Sequence, residues 1–194
     1  MINKASIILF GIALFLSMSL ALASADSWGA PATVKYESAN KKFAFEVIPA
    51  GQDSSKTGAP ETKCTATAYD SKNEKIWSAE LTNSQAPVSA FISDDGSCAV
   101  TLDNWGSIGH GDNVIAVYAA PGKLVKKFSL EDIFSKEELE AFSSSFTSRQ
   151  WRQQSGGAYF EKNSGIFVIR LADNGAKSGR KEIKIDTAKG EAVK

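Results

Sequence analysis

The stretch Tyr69-Asp-Ser-Lys-Asn-Glu-Lys-Ile-Trp77-Ser-Ala-Glu-Leu81 holds the pattern from which the fold can be read. A β-prone run ends in tyrosine, a polar turn follows, and a second run alternates until it closes on leucine. The unit returns as Tyr118-Ala-Ala-Pro-Gly-Lys-Leu-Val-Lys-Lys-Phe128-Ser-Leu130, so that Tyr69 and Tyr118, like Leu81 and Leu130, stand 49 residues apart. A looser third copy runs from Ile166-Phe-Val-Ile-Arg-Leu171 through the turn Asp173-Asn-Gly175 to Ile183-Lys-Ile185. A period of this size predicts blades of a propeller or a related β repeat. Three copies fall short of the roughly four blades that a closed ring typically needs. The expected fold is therefore mainly β, with antiparallel blade-like repeats in an open propeller-like or sandwich-like arrangement.

Around this pattern, residues 26–40 read as an irregular lead-in, Lys41 to Ile48 as a first strand, and Pro49 to Pro60 as a Gly/Ser/Pro/Lys loop. One segment breaks the β pattern. Leu130, Ile133, Phe134, Leu139, Phe142 and Phe146 recur at helical spacing, and Ser135 with Glu138 has the form of a capping box. An amphipathic helical insertion over about 130–146 is expected, covering sheet surface through Leu139, Phe142 and Phe146.

The first 25 residues carry a different message. Lys4 precedes an apolar run from Ala5 to Leu22 that closes on Ala23-Ser-Ala25 before Asp26, the pattern of a cleaved signal peptide. Removing 25 of 194 residues leaves 169, a length suited to one domain over residues 26–194. Export to the periplasm or the extracellular space follows, with no membrane span once the leader is gone. The mature chain has 21 basic and 22 acidic residues, so no overall field draws it to nucleic acid. Residues 149–194 hold 10 basic and 5 acidic side chains, the bland reading of which is a solvated, Lys-rich terminus.

Cys64 and Cys98 are the only cysteines. In an oxidising compartment an even count permits a disulfide, and each thiol shares the apolar face of its strand, Cys64 with Ala66 and Ala68, Cys98 with Val100 and Leu102. A Cys64–Cys98 disulfide is the expectation.

Between the strands 98–102 and 114–118 lies the most unusual loop of the chain, Asp103-Asn-Trp105-Gly-Ser-Ile-Gly-His110-Gly-Asp112-Asn113. Asp103, Asn104, Asp112, Asn113 and His110 place oxygen donors and one imidazole near one another, as a calcium or transition-metal loop would. The EF-hand pattern is absent, and Asx residues with glycines also serve ordinary turns. Turn formation is the expectation; Asp103 and Asp112 are the residues a metal would otherwise use. Trp105, His110, Asp112 and Asn113 are the ligand-binding candidates. His110 is the only histidine and no G-x-S-x-G occurs, so no catalytic residues are assigned and no cofactor is called for.

The segment Ser93-Asp-Asp-Gly96, then Val100-Thr-Leu-Asp-Asn-Trp-Gly-Ser107, then Gly109-His-Gly-Asp112 resembles small exported bacterial proteins of uncharacterised activity with β-propeller-blade-like repeats. The resemblance covers about residues 41–130 and implies a fold without catalytic residues. His110 departs from it, since an aromatic such as tyrosine is expected there. The functional expectation is a non-enzymatic binding or interaction module for a protein or envelope component, the alternative being a metal-binding domain or hydrolase using the 103–113 loop.

Overall fold

A computed structural model describes residues 28–51, 63–173 and 179–193; the leader 1–25, most of the 49–60 loop and the Asn174–Gly175 part of the third turn lie outside these residues. Among the described residues the fold is mainly β, with twelve antiparallel strands in three four-stranded sheets and one short helix. Each sheet is a meander of consecutive strands. The first contains β1 (Val34–Glu37), β2 (Ala44–Ile48), β3 (Thr65–Tyr69) and β4 (Lys75–Glu80). The second contains β5 (Pro87–Ile92), β6 (Cys98–Asn104), β7 (Ile115–Ala119) and β8 (Lys123–Phe128). The third contains β9 (Ala158–Phe160), β10 (Ile166–Arg170), β11 (Glu182–Asp186) and β12 (Glu191–Val193).

The 49-residue repeat is the last hairpin of a sheet, β3–β4 in the first and β7–β8 in the second. Its tyrosine marks the same defect in both: the pairing slips by a bulge between Ala68 and Tyr69 and again between Val117 and Tyr118. The looser third copy is displaced by one strand, because Ile166–Ile185 forms the middle pair β10–β11 rather than the last pair of its sheet. A further strand, β1, occupies the expected lead-in, registered Val34 to Val47 and Glu37 to Ala44.

The second sheet lies between the other two, and its alternation shows how. On β7, Ile115 and Val117 enter one apolar cluster with Phe167, Ile169, Ile183 and Ile185 of the third sheet. Ala116 and Tyr118 enter the other cluster, with Phe45, Val47, Ala66, Ala68 and Trp77 of the first. Burial on both faces explains why β7 reads as a continuous apolar run instead of an alternating one. The outer faces of the stack mix polar groups with exposed apolar ones, among them Ile48 on the first sheet and Val193 on the third. Lys35, Glu46 and Tyr69 occupy that of the first sheet, with the Lys35 ammonium 5.0 Å from the Tyr69 ring centre. Arg170, Tyr159 and Lys184 occupy that of the third.

The same geometry overturns the expected disulfide. Both cysteines are free and buried. Cys64 faces the cluster between the first and second sheets, whereas Cys98 faces the cluster between the second and third. Both thiols do point inward as read, but toward different interiors separated by the second sheet itself, and a bridge needs Cα atoms within about 7 Å. Burial pushes both thiols from an ordinary 9.0 up to about 11, partly offset at Cys98 by a hydrogen bond with Thr187 and at Cys64 by one with the Ala50 backbone. The intact, unreduced protein should show the full dithiol mass, and alkylation near pH 8 should be slow until denaturant is added. Unfolded thiols ionise from about pH 9 while folded ones keep their protons. Their contribution to stability is therefore complete below pH 9 and lost as the pH rises toward 11. Urea melts across this range, compared with the Cys64→Ala/Cys98→Ala variant, check the sign.

The helical insertion is also shorter than expected. α1 spans only Lys136–Ala141, with the expected capping box intact: the Ser135 hydroxyl accepts from the Glu138 N–H, and the Glu138 carboxylate accepts from the Ser135 N–H. Upstream, Ser129 and Asp132 bond one another and both the Ile133 and Phe134 N–H groups donate to the Leu130 carbonyl, closing a turn. Downstream, Ser143-Ser-Ser145 gives the backbone alternative partners, and the Ser145 N–H bonds the Ser148 carbonyl. Phe134 and Phe142 are buried edge to face with centroids 5.2 Å apart, Leu139 packs beside them, and Phe146 is 100% exposed.

Candidate functional site

The 103–113 loop turns its polar groups inward. Asp103, next to last in β6, has φ at +60°, a left-handed conformation that aspartate tolerates better than most residues and that breaks the strand's alternation. Its carboxylate is enclosed by three donors. Oδ1 accepts from the Gly109 N–H and from Trp151 Nε1, both at 2.8 Å, and Oδ2 accepts from Arg152 Nε at 2.8 Å. The Asp103 and Arg152 side chains are 0% and 1% exposed. Arg152 comes from the connection that leads into the third sheet, so the pair ties that connection to the end of β6. Gly109, at φ +69°, permits the close approach: an added Cβ would stand 3.0 Å from the Arg149 backbone carbonyl and from the Trp151 ring.

The other loop candidates are similarly engaged. Asn113 Oδ1 accepts from Asn104 Nδ2 at 2.7 Å, and Asn113 Nδ2 donates to the Thr82 carbonyl at 2.9 Å. Asn83 Nδ2 donates to Asn104 Oδ1 at 2.8 Å and to the Asp103 carbonyl at 3.0 Å. These bonds join the second sheet to the segment that leaves the first. Trp105 packs edge-on to Trp28 at 5.2 Å and donates from Nε1 to the Gly29 carbonyl at 2.8 Å, so it anchors the lead-in. Asp112 is exposed and ion-paired with Lys127. His110 is half-buried, with Nε2 enclosed and without a protein partner among the described residues. The structure thus brings Asn104 to Asn113 but sends Asp103 and Asp112 to different partners. No group of three His, Cys, Asp or Glu side chains among the described residues could hold a metal ion. Calorimetric titration with calcium and with zinc should show no binding tighter than about 10 μM at this loop. A tighter stoichiometric signal lost in Asp112→Ala would contradict this.

The concavity of interest lies elsewhere. The first hairpin turn of each sheet, β1–β2, β5–β6 and β9–β10, contributes to the wall of one cavity of about 380 Å³. Asn40 comes from the first turn, Asp94 and Asp95 from the second, and Lys162 and Asn163 from the third; Thr187 closes the wall from the β11–β12 turn. The first two turns are linked: the Asn40 N–H donates to Asp94 Oδ1 at 2.7 Å, and Asn40 Nδ2 donates to the Asp94 carbonyl at 2.7 Å. Asp95 Oδ1 accepts from Ser93 Oγ at 2.6 Å, Ser97 Oγ at 2.8 Å and the Ser97 N–H at 3.0 Å. The Ser93 bond foremost, with the Ser97 bonds, holds its carboxyl below the usual carboxylate range. The Asp94-Asp95-Gly96 turn was legible in sequence as a turn, with Gly96 at φ +71°. Its place in a site was not, since three turns far apart in the chain form the wall.

Among the described residues no helix is long and apolar enough to cross a membrane. Comparison with protein-family models, with curated proteins and with solved structures finds no match to this chain.

Proposed function

We propose that this chain is an exported, non-enzymatic binding module, an open propeller-like stack of three blade-like sheets that engages an envelope component at the cavity between its hairpin turns. One observation carries the reading: the equivalent first turn of every sheet opens onto the same cavity, so the repeat itself builds the site. Repeat folds place binding groups on one end of the stack in this way, on turns held by a rigid scaffold. The cavity volume falls within the range of about 300–1,000 Å³ common to small-molecule sites. The engagement of Asp103, Asn104 and Asn113 in fixed internal bonds favours this end over the 103–113 loop as the working surface. The resemblance to exported proteins with blade-like repeats and the A-x-A leader support the compartment.

The test uses the mature chain beside Lys162→Trp, in which an exposed cavity-rim position carries a bulky side chain. Both are incubated with fractionated native envelope. The parent should retain a component that the variant releases, while the two melt alike. Equal retention by both, or chemical turnover of the envelope material, would overturn the reading.

A further inference from the structure

We propose that the cavity takes a neutral polyhydroxylated ligand, a saccharide unit of one or two rings; this rests on the binding reading above. The argument starts from which polar atoms are free. On the β5–β6 wall, Asp94 and Asp95 each have one oxygen engaged in fixing their turns, and the second oxygen of each enters no hydrogen bond among the described residues. That wall offers acceptors. On the β9–β10 wall, Glu161 is neutralised by Lys184 at 2.7 Å, and the Ser164 hydroxyl turns back on Glu161. The Lys162 ammonium and the Asn163 amide remain without a partner among the described residues, so this wall offers donors.

A ligand between these walls must donate to one and accept from the other. A simple cation would meet Lys162, and a simple anion would meet Asp94 and Asp95, each at the cost of like-charge repulsion. Neighbouring hydroxyl groups on a ring do both tasks at once, since each O–H donates through its hydrogen and accepts through its lone pairs. Phe160 and Cys98 also line the cavity and add apolar surface against which the C–H face of a sugar ring can rest.

The experiment follows backbone amide signals of the isotopically labelled mature chain. Glucose, galactose, mannose, N-acetylglucosamine, xylose, maltose and lactose are added singly to about 20 mM, where millimolar affinities register. Putrescine and sulfate serve as charged comparators. At least one sugar should shift Gly96, Ser97, Asn163 and Gly165 together. Asp94→Asn and Lys162→Met should each weaken that sugar about tenfold, the effect of one hydrogen bond, without changing the melting temperature. The proposal is overturned if no sugar moves these signals, if putrescine or sulfate moves them more than any sugar, or if both variants bind like the parent. An envelope component retained through the cavity rim but lacking any saccharide would sink this inference and leave the binding reading standing.

Discussion

Asp103→Ala lowers the free energy of unfolding by about 3–5 kcal/mol, the scale on which a buried ion pair fails when one partner is removed. The reason is the group left behind. The Arg152 side chain is 1% exposed, and its remaining hydrogen bonds, Nη1 to the Gln153 carbonyl at 3.4 Å and Nη2 to Ser89 Oγ at 3.5 Å, are too long to compensate a desolvated guanidinium, which otherwise lies only 5.9 Å from the Trp151 ring centre. The Gly109 N–H and Trp151 Nε1 lose their acceptor in the same step. Urea denaturation gives the magnitude, and near-ultraviolet circular dichroism should report the loosened Trp151. Removing both charges, as in Asp103→Leu/Arg152→Met, should be less damaging than Asp103→Ala, because no buried charge is then orphaned. A single variant that melts within 1 kcal/mol of the parent would show that water reaches this pair.

Phe142→Asp should cost about 4 kcal/mol or more, because it both empties an aromatic site and places a carboxylate in it. Phe142 is 4% exposed and meets Phe134 edge to face in the cluster that also holds Trp151 and Phe167. Phe146→Asp, four residues on, should change stability by no more than about 0.5 kcal/mol, since its side chain is 100% exposed. Thermal or chemical melts of the pair make the comparison. Should Phe142→Asp melt like the parent and lose only a bound partner, α1 and its flanks would be an interface rather than core.

That contrast shows where periodicity stopped being informative. Helical spacing groups Leu130, Phe134, Leu139 and Phe142 as one apolar set, these side chains do pack together, and the capping box at Ser135 and Glu138 is present. The helix nevertheless ends at Ala141, because the serines after Phe142 bond local backbone more readily than they continue a helix. Helical spacing places side chains on a common face only while the backbone remains helical. Beyond that point Phe146 projects outward from a Ser-rich turn.

The loop 103–113 offers a similar lesson at the level of chemistry. Its residue types suit a structural turn and leave a metal loop as the lesser alternative, and what each side chain does rests on partners 40 or more residues away: Trp151 and Arg152 for Asp103, Gly29 for Trp105. A one-dimensional pattern contains no information about which of those donors will arrive.

Local chemistry was enough to specify strands, turns and their repetition, since alternation, turn residues and the 49-residue echo of Tyr69–Leu81 act over a few residues at a time. Even the bulge at each repeated tyrosine recurs with the sequence that encodes it. The inward direction of both cysteines followed from the same alternation. Which interior each one faces did not, because that depends on the second sheet lying between the other two and separating Cys64 from Cys98. The cavity belongs to the same class of property. Asn40, Asp94 and Asn163 sit on ordinary turns, and only the stacking of three sheets, driven by burial of the two apolar faces of the middle one, brings those turns around a common space.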